Sequence, residues 1–465
     1  MKILLVHNNF PGQFKYLIHR LLAELSNEVV VFTMNDFQGG ERLKVVRYQA
    51  AKGTSRDVHP WVADIETKVI RGEAAFLAAC QLRDSGFVPD VIFAHPGWGE
   101  SLFLKDVWPL SKLLIYCEFH YSPEGRDVGF DPEFPIKKDS TACRIRMKNV
   151  NNLMHFDMAD GGISPTNWQR STFPEPFRSK IEVVHDGVDT ELLKPDPKAA
   201  LRINDQEISA KQEVITFVNR NLEPYRGYHI FMRALPALMK LRPKAKFLIV
   251  GGNGVSYGAA APEGKTWKQV FLDEVKEDLD LSRAYFLGNI SHNHFIKLLQ
   301  LSTVHVYLTY PFVLSWSLLE AMSCGCAIVA SDTEPVREVI EHGKTGMLVP
   351  FFDAERLARQ VADLADDSSL RKKLSKAARR FARDNYDLET VCLPRLEQIV
   401  YRYGSAPSAS NKNLNSITFT GKSLYDFGAS SLEQLNKQIA NQINSHFLVG
   451  VVRDVYGDHG YVFIS

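Results

Sequence analysis

Short apolar segments alternate with amphipathic helical patterns along most of this chain, and the alternation runs through twice. In the first half, apolar runs predict strands at 3–7, 29–33, 43–48, 91–94, 113–116, 161–163 and 181–184. In the second half, they predict strands at 214–218, 246–250, 285–287, 304–308, 327–330 and 346–349. Helical patterns fill the gaps, among them 14–25, 62–84, 144–159, 228–241, 266–280, 292–299, 315–324 and 334–340. Because such alternation is typical of parallel sheets covered on both faces, we predict an α/β fold with two Rossmann-like, doubly wound domains facing across a cleft.

A polar, proline-bearing stretch at 193–197, continued at 204–213, separates the two halves. We therefore predict an N-terminal domain over 1–200 and a C-terminal domain over 201–386. A last helical pattern, over 387–404, is expected to cross back to the N-terminal domain. In two such domains a ligand binds at the carboxyl ends of the strands, in the cleft between them.

The remaining residues, 405–465, form a linker and a tail whose role we do not assign. The stretch 405–410 is rich in serine and alanine, as in flexible linkers. The tail has one helical pattern at 432–443 and a strand-like segment at 447–452. It is either a small docked appendage or partly disordered.

Composition narrows the functional classes. A formal net charge of +1 over 465 residues does not support a general nucleic-acid binder. The six cysteines lack zinc-ligand spacing, so reduced and mostly buried thiols are expected, as in the cytoplasm. No apolar run approaches the length of a membrane span. A basic cluster over 137–148 is typical of a solvated helix face, with a membrane or phosphate site as the alternative.

The segment 310–325 predicts a phosphate site. A strand runs into a short loop and then a helix for which Ser315 is the expected N-cap and Gly325 the left-handed terminator. The first amides of a helix attract phosphate, and Glu320, one and a half turns in, offers a carboxylate to two neighbouring hydroxyls. A phosphate cradle beside a diol acceptor suits a nucleotide-sugar donor. The alternative is a buried helix with a capping serine and an incidental glutamate.

Two arginines predict a diphosphate site. Arg220 ends the first strand of the second domain, and Arg226 opens the following helix. Guanidinium groups bind phosphate oxygens through rigid paired donors and stabilise a leaving diphosphate. The alternative is a pair of ordinary surface arginines, which their place at the strand's carboxyl end disfavours.

In the first domain, Gly12 follows strand one. One interpretation is that Gly12 lets the backbone approach a ligand, and the alternative is that it closes an ordinary strand-to-helix turn.

Three histidines, His7, His95 and His120, lie at or just beyond strand ends of the first domain. Each alone is more often structural, but together they predict at least one cleft residue that donates a hydrogen bond or acts as a base. Asp278 with Asp280, and His292 with His294, resemble metal-binding pairs but lack further ligands. We expect no metal.

In this order the loops resemble the retaining glycosyltransferases of family 4, which share the GT-B fold. The similarity covers roughly 1–404, and the second domain is its more specific half. The residues that carry it there are Arg220, Arg226 with Gly227, the glycine-rich 251–254, the nucleobase-pocket segment with Asn289 and Ile290, and the block from Glu320 to Gly325. In the first domain they are Pro11 to Phe14, Phe119 with His120, Gly162 to Asn167, and Gly187 to Asp189.

One position departs from the family. The first Glu of the Glu-x7-Glu motif would lie eight residues before Glu320, where this chain has Phe312. In the family that Glu contacts the donor sugar, so the chain resembles a subgroup with Phe in its place. The backbone amides of Val313, Leu314 and Ser315 remain available for phosphate or sugar. Arg226 stands where Lys is usual, which keeps the charge.

The resemblance implies a retaining transferase that moves a sugar from a UDP- or GDP-sugar to a glycan or lipid-linked acceptor. Arg220 and Arg226 would neutralise the leaving diphosphate, Glu320 would hold the ribose, and His120 would contact the sugar. No cofactor is expected beyond the nucleotide-sugar co-substrate. The enzyme would be cytoplasmic, at the inner membrane face where the acceptor is lipid-linked; oligomeric state is left open. The alternative is a catalytically silent nucleotide-sugar-binding protein of the same fold.

Overall fold

The computed structural model describes residues 1–136, 138–203, 206–405, 449–453 and 460–464. Residues 1–405 lie in one compact unit that contains two parallel sheets. The predicted α/β class with two Rossmann-like domains is therefore confirmed.

The first sheet has seven parallel strands in the order β3-β2-β1-β4-β5-β6-β7. The strands are β1 (Lys2–Val6), β2 (Glu28–Thr33), β3 (Leu43–Arg47), β4 (Val91–Ala94), β5 (Lys112–Tyr116), β6 (Gly161–Ser164) and β7 (Ile181–Val183). Central strands such as β4 are buried along their whole length, because helices cover both faces of the sheet.

The helices of this domain are α1 (Leu17–Ala23), α2 (Ala63–Asp84), α3 (Leu104–Val107), α4 (Lys138–Lys148), α5 (Val150–Met158) and α6 (Asn167–Ser171). The single helix predicted over 144–159 is divided into α4 and α5. Between them, Asn149 exchanges hydrogen bonds of 3.1 and 2.8 Å with the backbone of Tyr121. That contact lies far away in sequence, so helical periodicity alone does not reveal it.

The second sheet has six parallel strands in the order β12-β11-β10-β13-β14-β15. A short antiparallel pair, β8 (Ala200–Ile203) and β9 (Gln206–Ser209), precedes it and buries Leu201, Ile203 and Ile208 in the core of the second domain. The sheet strands are β10 (Val214–Asn221), β11 (Lys246–Gly252), β12 (Ala284–Gly288), β13 (Val304–Tyr307), β14 (Ile328–Ser331) and β15 (Met347–Val349). Its helices are α7 (Tyr228–Leu241), α8 (Trp267–Val275), α9 (His292–Leu301), α10 (Trp316–Ser323), α11 (Glu334–Arg337), α12 (Ala354–Asp366) and α13 (Ser368–Tyr386).

The chain then returns to the first sheet through α14 (Leu393–Ser405), which follows a π-helical turn at Leu388–Cys392. The apolar face of α14 packs into the same core cluster as Ile3, Leu5 and Leu17. Polar contacts add to this packing: Arg20 donates to Glu397 at 3.1 Å, and Asn27 donates to the Tyr401 hydroxyl at 2.9 Å. The last helix thus completes the core of the N-terminal domain.

Beyond α14 the described residues form one antiparallel pair, β16 (Val449–Arg453) and β17 (Gly460–Ile464). The strand predicted at 447–452 overlaps β16, whereas the helix predicted at 432–443 lies outside the described residues. Within the described ranges, no helix combines the length and apolar character needed to cross a bilayer.

A carboxyl group is buried without a partner in the N-terminal domain. Glu100 is fully buried, and neither of its carboxyl oxygens has a hydrogen-bond partner in the described part of the chain. Burial raises the pKa of Glu100 to about 7, because the charged form loses its hydration. This group therefore stays largely protonated below neutral pH.

Candidate active site

The predicted site residues of the second domain lie at the carboxyl edge of its sheet. β10 pairs directly with β13 and with β11, so the loops that follow these strands are neighbours. In open parallel sheets this edge is where ligands bind. The loops bring together the segments around Arg220, Arg226 and Ser315.

The start of α10 has the predicted cap. Ser315 Oγ accepts from the amide of Ser317 at 3.3 Å, and Gly325, with φ of 76°, ends the helix as expected. The Ser315 amide itself donates to the Tyr307 hydroxyl at 3.0 Å, so it is already engaged. The amides of Val313 and Leu314 have no hydrogen-bond partner among the described groups, although both side chains are buried. These two amides are the ones left to meet a ligand.

Glu320 is the fifth of the eight residues of α10, and its carboxylate has a close polar neighbour. Its Oε1 is 3.4 Å from His292 Nε2, and its side chain is 17% exposed. The hydrogen bond to Glu320 raises the pKa of His292. In the sequence His292 resembles half of a metal-binding pair with His294; in the structure it lies beside the predicted ribose-binding carboxylate.

The two arginines differ in environment. Arg226 is buried, and its NH1 donates to Thr309 Oγ1 at 2.7 Å and to the Val313 carbonyl at 3.1 Å. It thereby holds the loop that leads into α10. Arg220 is exposed at the end of β10 and makes no hydrogen bond or ion pair with any residue that the structure describes. One arginine supports the site, and the other is free to bind an anion.

A buried glutamate organises the loop after β11. The Glu223 carboxylate accepts from the amides of Ser256 at 3.1 Å and Tyr257 at 3.3 Å. This brings the Tyr257 ring to 5.1 Å from the Arg226 guanidinium, a cation–π contact. Neither residue stands out as a site residue in the sequence, where the signal is a charged residue at 223 between a strand end and a proline.

The segment that is predicted to line the nucleobase pocket follows β12, which pairs with β11. Asn289 is exposed and Ile290 is half-buried. Gly252, at the end of β11, lies between the side chains of Asn221 and Asn289, and a Cβ there would be 2.7 and 3.0 Å from their oxygens. The absence of a side chain at Gly252 is what allows the two amides to converge at this edge.

On the first domain, Gly12 has a local structural reason to be glycine. Its φ is +44°, and a Cβ at this position would lie 2.2 Å from His7 Nε2. His7 is buried, its Nε2 is 2.7 Å from Gln13 Oε1, and burial lowers its pKa to about 4. The close packing of Gly12 against neutral His7 therefore explains by itself why this position is a glycine, whether or not a ligand also approaches the backbone there.

The other two histidines occupy different surroundings. His95 is buried, and its Nδ1 accepts from the Gly97 amide at 3.2 Å, so the neutral ring carries its proton on Nε2. Burial lowers the pKa of His95 to about 3. The His120 ring lies 6.2 and 6.0 Å from those of Phe156 and Phe173, and burial lowers its pKa to about 4. Nothing in these contacts tests the predicted sugar contact of His120.

Phe312 belongs to an apolar contact between the domains. It is 5% exposed, and its ring centroid lies 4.7 Å from Phe119, 5.1 Å from Tyr257 and 5.5 Å from Tyr225. Its carbonyl accepts from the Trp168 indole at 3.1 Å. The four rings, 119, 225, 257 and 312, are called the aromatic cluster below.

Residues 127–134, the crossing segment, extend from the first domain onto the second. Asp131 accepts from the Tyr310 hydroxyl at 2.6 Å and lies 2.9 Å from His229 Nε2. Glu133 forms a paired salt bridge with Arg233. Asp131, Glu133 and His229 come close enough to hold a metal, but Asp131 already accepts from Tyr310 and Glu133 from Arg233. The arrangement fits a link between the domains.

A second link reaches α10. The indole of Trp316 donates to Asp186 Oδ2 at 3.0 Å, and the Tyr116 hydroxyl donates to the same oxygen at 2.9 Å. Burial raises the pKa of Asp186 to about 7. The first residue of α10 is thus anchored to the first domain.

Two family models match the chain in succession. Residues 25–193 match the Glycosyl transferase family 4 group, and residues 201–381 match the Glycosyl transferases group 1. A curated relative is the GDP-mannose-dependent alpha-(1-6)-phosphatidylinositol monomannoside mannosyltransferase of Mycolicibacterium smegmatis, 27% identical over 63% of this chain and 72% of the relative. The chain spans half or less of the length of the curated D-inositol 3-phosphate glycosyltransferases that it also matches.

Two solved structures share the fold over most of the chain. Sucrose-phosphate synthase from Thermosynechococcus elongatus superposes with a TM-score of 0.64 at 20% identity, covering 86% of this chain and 98% of that one. HepE from Anabaena, solved in complex with UDP-glucose, gives a TM-score of 0.59 at 16% identity over 86% and 98% of the two chains. At these identities the likeness establishes the fold.

Proposed function

We propose that this chain, which has the GT-B fold, is a glycosyltransferase that transfers a hexose, with retention of configuration, from a UDP- or GDP-hexose to a glycan or lipid-linked acceptor. The observation that carries the proposal is the meeting of an unpartnered Arg220, a buried Arg226 and the free amides before α10 at one sheet edge. These are the groups that a nucleoside diphosphate requires.

The diphosphate would lie between the end of β10 and the start of α10. Arg226 contributes charge from a position that the Thr309 and Val313 contacts hold rigid. Arg220 contributes donors that no described residue occupies. A preorganised positive site of this kind stabilises the negative charge that grows on the leaving diphosphate.

The nucleoside would extend along the second domain. Glu320 accepts hydrogen bonds from the ribose hydroxyls, and His292 keeps its carboxylate oriented. Asn289 and Ile290 line the base pocket at the end of β12. This arrangement needs no metal and no cofactor beyond the donor.

In the transfer step, the bond between the sugar's anomeric carbon and the diphosphate oxygen breaks. The acceptor oxygen bonds to that carbon on the same face, and its proton passes to the departing diphosphate oxygen. No protein nucleophile takes part. The cleft walls exclude water, which limits hydrolysis of the donor.

The names of similar proteins support the substrate classes. The Mycolicibacterium smegmatis relative is named as GDP-mannose-dependent and acts on a phosphatidylinositol mannoside, and the Anabaena neighbour was solved with UDP-glucose. With a lipid-linked acceptor, the enzyme would work at the cytoplasmic membrane face.

The test is a donor screen of the purified full chain. UDP-, GDP- and ADP-hexoses are incubated with glycan and glycolipid acceptors, and both free nucleoside diphosphate and product are measured. We expect transfer from a UDP- or GDP-hexose, with the donor's anomeric configuration kept in the product by NMR. Inversion of configuration would refute the retaining mechanism, and absence of any transfer would refute the activity.

One observation favours a second candidate, a catalytically silent nucleotide-sugar-binding protein. Phe312 replaces the family's sugar-contacting glutamate with a ring that is 5% exposed and packed between the domains. Isothermal titration separates the candidates: the silent protein would bind a nucleotide sugar tightly and show no transfer with any acceptor.

A further inference from the structure

The loop after β5 ends in a carboxylate that the proposed mechanism does not use. The side chain of Glu118 is 48% exposed, and its Oε2 lies 3.7 Å from His95 Nε2, beyond hydrogen-bond distance. Among the described residues, no group donates a hydrogen bond to this carboxylate. Buried His95 Nε2, which carries the proton of the neutral ring, likewise has no hydrogen-bond partner. An acceptor and a donor therefore lie side by side without partners.

The surroundings of Glu118 place it in the cleft between the domains. Although half-exposed to water, it is enclosed enough that its pKa is raised, and the positive charge of Arg226 opposes the rise. Its negative charge in turn raises the pKa of Asp186, the residue that anchors Trp316. Glu118 thus lies within electrostatic range of Arg226 and of Asp186.

The backbone at Glu118 is held rigidly. Its carbonyl accepts from Gln169 Nε2 at 2.8 Å, and the preceding amide, of Cys117, donates to Ile163 at 2.6 Å. The following residue, Phe119, packs its ring against Phe312 in the aromatic cluster. A backbone held in this way fixes the position of the Glu118 Cα, so binding a ligand would require ordering of the side chain alone.

The transferred sugar must lie next to the diphosphate to which it is bonded, and its hydroxyls need polar partners. Phe312 offers none on the second domain, since its side chain is apolar and buried. Glu118 belongs to the first domain and directly precedes Phe119, whose ring packs against Phe312, and His95 is a neighbouring donor. We propose that Glu118 binds hydroxyl groups of the transferred sugar, opposite Arg226, and so supplies from the first domain the carboxylate that position 312 lacks. This inference rests on the proposed function.

The experiment compares wild type with Glu118→Ala and Glu118→Gln. Isothermal titration measures UDP against UDP-glucose and GDP against GDP-mannose, which isolates the sugar's share of binding. In both variants, the affinity for the nucleotide sugar relative to that for the nucleoside diphosphate should fall by about 10- to 100-fold, the range for hydrogen bonds to a charged acceptor. The affinity for the nucleoside diphosphate itself should stay the same or increase. Transfer, measured as kcat/KM with the best donor, should fall by a similar factor.

Deoxy analogues of the preferred donor sharpen the assignment. Wild type should discriminate against the analogue that lacks the bound hydroxyl, whereas Glu118→Ala should bind it and the parent sugar equally. A residue with a purely structural role would not produce this coupling.

Glu124→Gln is the matched control, because Glu124 is an exposed carboxylate on the same loop. It should leave binding and transfer unchanged. If wild type binds the nucleotide sugar and Glu118→Ala binds it equally well with undiminished discrimination, the inference is overturned while the proposed function stands. If wild type binds no nucleotide sugar at all, both fall together.

Discussion

Replacing Phe312 with Glu would create the Glu-x7-Glu spacing of the family that the chain resembles, yet we expect the change to disable the protein. Phe312 is 5% exposed, with three aromatic rings whose centroids lie between 4.7 and 5.5 Å away. Removing a buried Phe side chain costs about 3–5 kcal/mol, of which each aromatic pair contributes about 0.5–1.5 kcal/mol. A carboxylate placed among these rings costs several kcal/mol more unless it is protonated or hydrated.

The aromatic cluster joins the two domains, so opening of the cleft is the least costly way to hydrate the new carboxylate. We therefore expect Phe312→Glu to lower the melting temperature and to increase the radius of gyration in small-angle scattering. The loss of 3–5 kcal/mol in Phe312→Ala corresponds to a fall of about 6–20 °C for domains of common size, and Phe312→Glu should fall at least as far. Transfer should drop at least about 10-fold, because an open cleft separates Arg226 from Glu118.

Phe312→Leu is the control, since it keeps the site apolar and should cost much less stability than Glu. The measurements are differential scanning calorimetry, small-angle scattering and a nucleoside diphosphate release assay on the same three proteins. A Phe312→Glu protein with the melting temperature of wild type and a higher rate of sugar transfer would refute the reasoning. In that case position 312 faces the donor rather than the other domain.

Three further predictions concern charge. Arg220→Ala should reduce turnover by about 100- to 1,000-fold with an unchanged melting temperature, because Arg220 has no partner within the described chain; near-normal turnover would remove its leaving-group role. Arg226→Met should reduce turnover similarly but also lower the melting temperature, since it frees Thr309 and the Val313 carbonyl; equal stability would show that these bonds contribute nothing. Glu100 has its pKa raised from 4.5 to about 7, so the folded protein keeps this proton longer than the unfolded chain, and wild-type stability should fall as pH rises through that window. The free energy of unfolding of Glu100→Gln, relative to that of wild type, should therefore increase by up to about 3 kcal/mol as pH rises from about 5 to 7. A difference between the two proteins that does not change with pH would contradict the shifted pKa.

The strands of both sheets could be predicted closely, because fully buried parallel strands leave continuous apolar runs. The run at 91–94 coincides with β4, for example. The break between α4 and α5 could not be predicted, since it depends on a hydrogen-bonded contact between Asn149 and Tyr121 that no local pattern encodes.

The candidate site could be predicted where residues with functional side chains directly follow a strand in the sequence. Arg220 and Arg226 come next to β10, and parallel strands carry such residues to one edge. Glu118 and Tyr257 could not be predicted as site residues, because contacts with distant segments determine where they lie. The loop of Glu118 is positioned by the packing of Phe119 against Phe312, and Tyr257 is positioned by the Glu223 carboxylate. The sequence shows Phe312 eight residues before Glu320, but it does not show that Phe312 lies between the domains.

The return of α14 to the first sheet has a consequence during synthesis. β7 ends at Val183 and α14 begins at Leu393, 210 residues later. At the usual pace of translation, the first domain waits about 10–40 s on the ribosome with the surface that α14 will cover still open to water. A nascent chain in that interval is a target for chaperones, and a gene fragment that stops before α14 would yield a domain with an exposed apolar face rather than an independent one.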